Sequence, residues 1–218
     1  MFRSVLLAAV LGAIPAALAL TVSQALLTTP LILQAEVYET GMPLVTGAVP
    51  FDGVRLLQTA AANLVLALGY GLMLCGIYVL RRPTGVAHGL GWGLAGLMVF
   101  FVAPGIGLPP EVPGTEAASL VSRQAWWLAT VICTATGLAL IFLQTRVDWR
   151  LAGLGFLFAP HLAGAPQPEL AGSLAPEALI RQFQMATLTC NALFWLLLGP
   201  MTTLAFRRQL PESERGSV

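Results

Sequence analysis

The sequence predicts an all-α protein, a polytopic membrane bundle of about six transmembrane helices in three tandem hairpins. Charged residues make up 10% of the 218 residues and hydrophobic residues 57%, whereas soluble domains average about 25% charged. Mean hydropathy is +0.81. The apolar residues also fall into runs of about 20, the length of a helix that crosses the hydrocarbon layer.

Each predicted helix corresponds to one apolar run. The runs are 5–27, 56–80, 86–103, 125–143, 151–164 and 183–206. The first run contains "AALALTVS", which could end a secretory signal, but it is longer than a signal's apolar region and is therefore predicted to be retained. The fifth run is short and contains Pro160, so we expect it to tilt, break or cross only in part.

The predicted helices form a single transmembrane domain over 1–208, followed by a polar cytoplasmic tail at 209–218. Its three hairpins are 1–82, 83–148 and 149–208. Cysteines occur once each in runs two, four and six, where an odd number argues against a disulfide framework and favours packing roles. These cysteines are Cys75, Cys133 and Cys190.

Basic residues predict the orientation of the chain. All eleven are arginine, and eight of them lie on the side that holds both termini. The positive-inside rule therefore places the termini in the cytoplasm and the loops 28–55, 104–124 and 165–182 outside. Seven of the ten acidic residues lie on that outer side, which would attract cations.

Two of the outer loops repeat one sequence pattern. The stretches "APGIGLPPEVPGTEAASLVSRQ" (103–124) and "APHLAGAPQPELAGSLAPEALIRQ" (159–182) both begin with Ala-Pro, pass two prolines and a glutamate, and end in Arg-Gln. The first hairpin fits more loosely, with Pro30, then Glu36, then Arg55. Parallel repeats of this kind occur in transporters, which bind substrate where the repeats meet.

The outer acidic side chains are candidate metal ligands. Around a pseudo-threefold axis, the three repeated glutamates would form a ring at the outer surface. On a helix, Glu36 and Glu39 share one face, and two like charges so placed repel unless a cation joins them. One histidine lies on the same side, and imidazole with carboxylates suits divalent Co, Ni or Zn. The predicted metal ligands are Glu36, Glu39, Glu111, Glu169 and His161.

A structural role for these side chains stays open. Arg55, Arg123 and Arg181 stand at the mouths of the returning helices, where each could pair with the glutamate of its hairpin as a clamp at the membrane interface. A histidine near the headgroups is often a capping or interfacial residue. For Glu111 and Glu169, the ion-pair and metal-binding interpretations are equally supported.

Polar side chains inside the apolar runs lie on the even-numbered helices. At this depth they face the bundle interior, either as bonds between helices or as a path. The candidates that would line a path are Gln58, Asn63, Gln184 and Asn191. The sequence carries no phosphate-binding loop, paired-cysteine motif or HExxH, so nothing indicates ATP hydrolysis, nucleic-acid binding, metalloprotease chemistry or a permanently bound cofactor.

Four stretches of the chain together resemble the CbtA family, the proposed subunit of a bacterial cobalt transporter. They are "PLILQAEVYE", "GLPPEVPGTEAASLVSRQAWWLAT", "PHLAGAPQP" and "NALFWLLLG", and the resemblance extends over residues 2–208. It implies a multi-pass protein of the bacterial inner membrane that acts in Co²⁺ uptake and is not an enzyme. It also implies a very small single-span partner, CbtB, whose histidine-rich segment would supply nitrogen ligands. The resemblance assigns no ligand residues.

The combined prediction is a membrane subunit of a divalent transition-metal uptake system, with the metal captured at an acidic outer vestibule. The metal is cobalt by resemblance only, because carboxylate and imidazole ligands bind Ni, Cu or Zn as readily. One alternative is a non-transporting scaffold that positions the small histidine-rich partner. Another is a membrane enzyme that uses the outer carboxylates on a lipid or a corrinoid, but no buried, charge-perturbed acid pair favours it.

Overall fold

A computed structural model describes residues 2–40, 52–82, 85–169 and 172–209. Eight α-helices and two π-helical turns are described in these ranges. They are α1 (Phe2–Ser23), a π-helical turn (Gln24–Thr28), α2 (Thr29–Thr40), α3 (Gly53–Arg81), α4 (Val86–Leu97), a second π-helical turn (Met98–Val102), α5 (Ala103–Gly107), α6 (Leu120–Leu143), α7 (Val147–Ala163) and α8 (Glu177–Arg208). Apart from Gln209, the predicted tail at 209–218 lies outside the described residues.

The predicted all-α membrane fold is confirmed. Among the described residues, five helical stretches are long and apolar enough to cross a membrane: Phe2–Thr40, Gly53–Arg81, Val86–Gly107, Leu120–Leu143 and Glu177–Arg208. Helix α7, which corresponds to the fifth predicted run, has 17 residues. At 1.5 Å per residue it is about 26 Å long, slightly less than the hydrocarbon thickness of about 30 Å.

The helices extend further into the predicted outer loops than expected. The predicted outer loop 28–55 is shorter in the structure, because α2 continues the first helix to Thr40. The loop at 104–124 is helical to Gly107 and again from Leu120, and the loop at 165–182 ends where α8 begins at Glu177. Polar caps explain two of the early starts: Asp52 accepts from two backbone N–H groups of α3, and Ser119 accepts from one of α6.

Pro30 does not end a helix, although its place in the first hairpin corresponds to that of Pro104 and Pro160 in the other two and predicts a helix end. It is the second residue of α2, directly after the π-helical turn. Because the stretch Phe2–Thr40 is continuous, Pro30 removes one backbone hydrogen bond from the interior of a helix. Prolines and π-helical turns both interrupt regular helix hydrogen bonding, and here the two interruptions are adjacent. Pro104 and Pro160 do lie near helix ends, each three residues before the last residue of its helix.

The chain divides into two compact units. The first comprises Met1–Leu27, Gly47–Leu94 and Thr189–Val218, and the second comprises Thr28–Thr46 and Ala95–Leu188. In the first unit α1 packs on α3 through small residues. Ala9 is fully buried, and a Cβ placed on Gly71 would lie 3.2 Å from the carbonyl oxygen of Ala9. Close backbone approach through small side chains is typical of membrane helices.

The first unit also brings the start of α4 against the end of α8. A Cβ on Gly89 would lie 2.8 Å from the Cα of Pro200, and a Cβ on Gly93 would collide with the carbonyl oxygen of Trp195. From α3, Tyr78 donates a hydrogen bond of 3.2 Å to the carbonyl oxygen of Gly199. The glycines therefore allow α4 to lie directly on the backbone of α8.

In the second unit α6 crosses α7 at two glycines. A Cβ on Gly137 would lie 2.8 Å from the carbonyl oxygen of Gly153, and the reverse distance is also 2.8 Å. At the loop end of this unit a small apolar core joins α2, the loop after α5 and the start of α8. Its buried members are Ala35, Val112, Ala175, Leu179 and Phe183. Two of the predicted metal ligands, Glu36 and Glu111, are next to members of this core in the chain.

Candidate functional site

The two repeated loops pair with each other. Thr115 and Ser173 form an antiparallel bridge, and their hydroxyl oxygens lie 3.2 Å apart. The flanking bonds run from the N–H of Glu116 to the carbonyl of Gly172 (3.0 Å) and from the N–H of Leu174 to the carbonyl of Gly114 (3.2 Å). The bridge therefore holds the acidic loops 108–119 and 164–176 side by side.

Glu111 is engaged by an arginine. Its carboxylate lies 2.9 Å from the guanidinium of Arg123, and the two side chains are 29% and 32% exposed. Arg123 is in the first turn of α6, one turn after the capping residue Ser119. Because the carboxylate is already neutralised by a half-buried cation, Glu111 contributes less to the attraction of a metal ion than an unpaired acid would.

The second repeat pairs differently. Arg181 contacts Glu177, four residues earlier on α8, at 3.0 Å, and both side chains are largely exposed. Helix α8 begins at Glu177, so this glutamate lies one turn before Arg181 on the same face. Glu169 is exposed in the loop instead. The arginine of this repeat thus has a local partner that the loop pattern did not reveal.

Glu169 lines a cavity of about 510 Å³ together with Glu116. Gln167, Ser119 and Ser122 add neutral oxygens to the same cavity. The two carboxylates come from the two bridged loops, one from each. This lining is chemically compatible with a hydrated cation, since carboxylate and water are oxygen ligands that divalent ions accept.

Sequence reasoning missed Glu116 as a site residue. The repeat pattern points to glutamates that occur at equivalent positions of both loops. Glu116 is not one of them, because the equivalent residue in the second loop is Leu174. The sequence feature that could have identified Glu116 is its position in an outer loop that already carries one candidate ligand, Glu111. Only the pairing of the loops brings it to the cavity that Glu169 lines.

Glu36 and Glu39 both lie on α2, three residues apart, as the prediction of a shared helix face requires. Glu36 is half-buried and Glu39 is exposed. A Cβ placed on Gly114 would lie 3.4 Å from the Cβ of Glu39, so α2 ends beside the bridged loops. Gly114 has φ +76°, a conformation that favours glycine.

His161 lies half-buried in the last turn of α7. Its ring packs edge to face on Trp126, with ring centroids 6.0 Å apart, and the indole N–H of Trp126 donates to the carbonyl of Pro160 at 3.2 Å. Among the described residues, no three His, Cys, Asp or Glu side chains lie close enough together to hold a metal ion. The five predicted ligands therefore do not meet as one preformed site.

The predicted path residues differ in burial. Asn63 is 7% exposed, and its amide donates to the hydroxyl of Thr21 (3.0 Å) and the side-chain carbonyl of Gln24 (2.7 Å). Gln24 begins the first π-helical turn, so this contact fastens α3 to the widened part of the first helix. Gln58 is exposed, and Gln184 and Asn191 are half-buried. The N–H of Arg55 is held by the capping carboxylate of Asp52 at 3.0 Å.

Comparison with known proteins identifies one family. A family model described as "Probable cobalt transporter subunit (CbtA)" matches residues 2–207, nearly the whole chain. Neither a curated protein nor a solved structure matches the chain.

Proposed function

Because the chain belongs to the CbtA family of probable cobalt transporter subunits, we propose that it collects divalent cobalt at an acidic outer surface and passes it toward the cytoplasm. The family match carries the transport role and the metal. The chain has several membrane-spanning helices, as a transporter subunit requires. A subunit also acts with a partner, and we propose the small single-span, histidine-rich CbtB-like protein.

The bridged loops support capture on one face of the second unit. They hold Glu116 and Glu169 at one cavity, while Glu39 stands at the end of α2 beside Gly114. Carboxylates gathered in this way raise the local concentration of divalent cations without binding them tightly. Weak capture suits transport, because an ion that binds too tightly at the entrance leaves slowly.

The distribution of arginine supports an outward-facing acidic surface. Arg146 and Arg150 lie at the opposite ends of α6 and α7 from the bridged loops, and Arg207 and Arg208 end α8. The positive-inside rule assigns those ends to the cytoplasm of the bacterial inner membrane. The bridged loops then face outward, where the metal arrives.

Asn63 and the polar residues Gln184 and Asn191 would line the way in. All three lie within membrane-spanning helices, where polar side chains are retained as bonds between helices or as contacts for a passing substrate. Asn63 has the strongest case, since its amide bonds place three polar side chains together in the first unit.

Uptake measurements with two matched variants test the capture site. Glu169→Gln and Glu177→Gln each remove one exposed carboxylate, but only Glu169 lines the cavity. In cells that express the chain with its partner, Glu169→Gln is expected to lower the initial rate at limiting cobalt by about threefold or more, because the entrance loses cation attraction. The rate at saturating cobalt should change little.

Immunoblots of the membrane fraction would show equal amounts of both variants. Equal uptake by Glu169→Gln and wild type at limiting cobalt would argue against the cavity as the capture site. An equal loss in both variants would show that total surface charge matters and the cavity does not.

The scaffold alternative gains support from the arrangement of His161, which packs on Trp126 and is not joined to the acidic cavity. In that case the nitrogen ligands and the metal path would belong to the small partner. Liposomes that contain the purified chain alone, the purified partner alone, or both together separate the two functions. Cobalt entry with the chain alone supports transport by this chain, whereas entry with the partner alone supports the scaffold.

A further inference from the structure

A second cavity of about 420 Å³ is lined by the π-helical turn Met98–Val102, by α5 and the loop after it, and by the start of α6. Its walls are mostly apolar, yet it contains the ion pair of Glu111 and Arg123. The volume falls within the range of about 300–1,000 Å³ that is typical of small-molecule sites. We propose that this cavity binds the headgroup region of one zwitterionic aminophospholipid, phosphatidylethanolamine.

The position of the cavity along the helices favours a lipid. It lies where two membrane-spanning stretches end, Val86–Gly107 and the beginning of Leu120–Leu143. Trp127 is one of its lining residues, and tryptophan marks the headgroup level of membrane proteins. Phospholipid headgroups are therefore the abundant molecules at this depth.

The walls fit the first part of the acyl chains. Phe100 and Phe101 both line the cavity although they are consecutive residues, and both belong to the π-helical turn Met98–Val102. Leu108 and Leu120 add to the apolar lining, and the ring centroids of Phe100 and Trp127 lie 6.4 Å apart. Apolar surface of this kind gains free energy when methylene groups cover it.

The charges select the headgroup. A guanidinium has five N–H donors, more than one carboxylate accepts, so Arg123 has the capacity to donate to a lipid phosphate as well as to Glu111. The carboxylate of Glu111 accepts N–H bonds from a primary ammonium. Phosphatidylethanolamine presents both groups. The quaternary ammonium of phosphatidylcholine has no N–H, and phosphatidylglycerol has no ammonium group to pair with Glu111.

The second repeat provides the matched control. Arg181 stands at the position equivalent to Arg123 and also forms an ion pair, with Glu177. That pair is 67% and 87% exposed on the surface of α8, whereas the pair in the cavity is about one-third exposed. Removing either arginine changes the net charge by the same amount.

Native mass spectrometry of the purified full chain in detergent tests the proposal. The protein is mixed with equal amounts of phosphatidylethanolamine, phosphatidylcholine and phosphatidylglycerol, and bound lipids are counted. We expect one phosphatidylethanolamine per wild-type chain, retained about fivefold more than either competitor. Arg123→Gln should lose that lipid, and Glu111→Gln should bind the ethanolamine and choline lipids equally. Arg181→Gln should behave as wild type.

A third variant leaves both charges in place. Leu120→Trp enlarges an exposed residue at the cavity and should reduce lipid retention by filling the space. Thermal unfolding of each variant without lipid shows whether it folds. Equal retention of the three lipids by wild type would overturn the proposal, and so would an equal loss in Arg123→Gln and Arg181→Gln. Retention of phosphatidylethanolamine by Leu120→Trp at the wild-type level would place the lipid elsewhere and overturn the proposal too.

Discussion

Thr115 and Ser173 face each other across an antiparallel bridge, and they are separated by 58 residues. The same separation relates Glu111 to Glu169 and Arg123 to Arg181 in the two repeated segments. The bridge therefore pairs a residue with its own repeat equivalent. The two flanking hydrogen bonds, from Glu116 to Gly172 and from Leu174 to Gly114, are also equivalent under the same shift of 58 residues. The two loops are therefore related by a local pseudo-twofold axis.

A cross-link tests the bridge. The backbone hydrogen bonds of the bridge join the neighbours of Thr115 and Ser173, which makes these two residues a non-hydrogen-bonded pair. The Cα atoms of such a pair lie about 4.5 Å apart, a distance that a disulfide can span. In a chain without its native cysteines, Thr115→Cys with Ser173→Cys should form a disulfide on mild oxidation. The measurement is a mobility shift in a non-reducing gel after a protease site is inserted between α6 and α7.

The control for this cross-link is Thr115→Cys with Leu174→Cys. One residue of offset points the second side chain to the opposite face of the bridge. Cross-linking of both pairs to the same extent would show that the loops lack a defined register.

Two glycines of α7 should differ in their tolerance of alanine. A Cβ on Gly153 would lie 2.8 Å from the carbonyl oxygen of Gly137, whereas a Cβ on Gly155 meets nothing within 4 Å. Gly153→Ala should destabilise the protein by about 1–3 kcal/mol, the usual cost of overpacking. Gly155→Ala should leave the melting temperature unchanged or raise it, because alanine is the better helix former. Thermal unfolding in detergent measures both, and identical melting temperatures would argue against the α6–α7 crossing.

Asn63 should matter for stability more than Gln58 on the same helix. Asn63→Leu removes two buried hydrogen bonds, to Thr21 and Gln24, and should cost about 1 kcal/mol or somewhat more. Gln58 is exposed, so Gln58→Leu should have little effect. Guided by the path proposal, we also expect Asn63→Leu to lower cobalt uptake per folded molecule. Normal uptake by a correctly folded Asn63→Leu protein would assign this residue to helix packing alone.

The pair on α2 gives a test that is independent of the bridged loops. Glu36→Gln with Glu39→Gln removes two negative charges that share one helix face. We expect reduced cobalt accumulation at limiting metal, by about threefold or more, with recovery at high metal concentration. Accumulation in growing cells, normalised to the amount of protein, is the measurement. Wild-type accumulation at limiting cobalt would remove these two residues from the capture surface.

The helical spans were predictable because a span depends on local composition. A run of about 20 apolar residues crosses the bilayer whatever its neighbours are. The helix ends were less predictable, since α2 continues beyond the apolar run to Thr40, and its Ala35 is buried with Val112 and Ala175. That contact joins residues far apart in the chain, and no local pattern records it.

By itself, the sequence determined the membrane fold, the repeat in the loops and the family, because each depends on residue type and spacing along the chain. Only the tertiary structure decided that Glu111 meets Arg123, that Arg181 meets Glu177, and that Glu116 shares a cavity with Glu169. An ion pair requires two atoms within 4 Å, and that distance is set by how separate helices and loops pack. Burial in lipid requires only that a segment be apolar, whereas convergence of charges requires the whole arrangement of the unit that holds them.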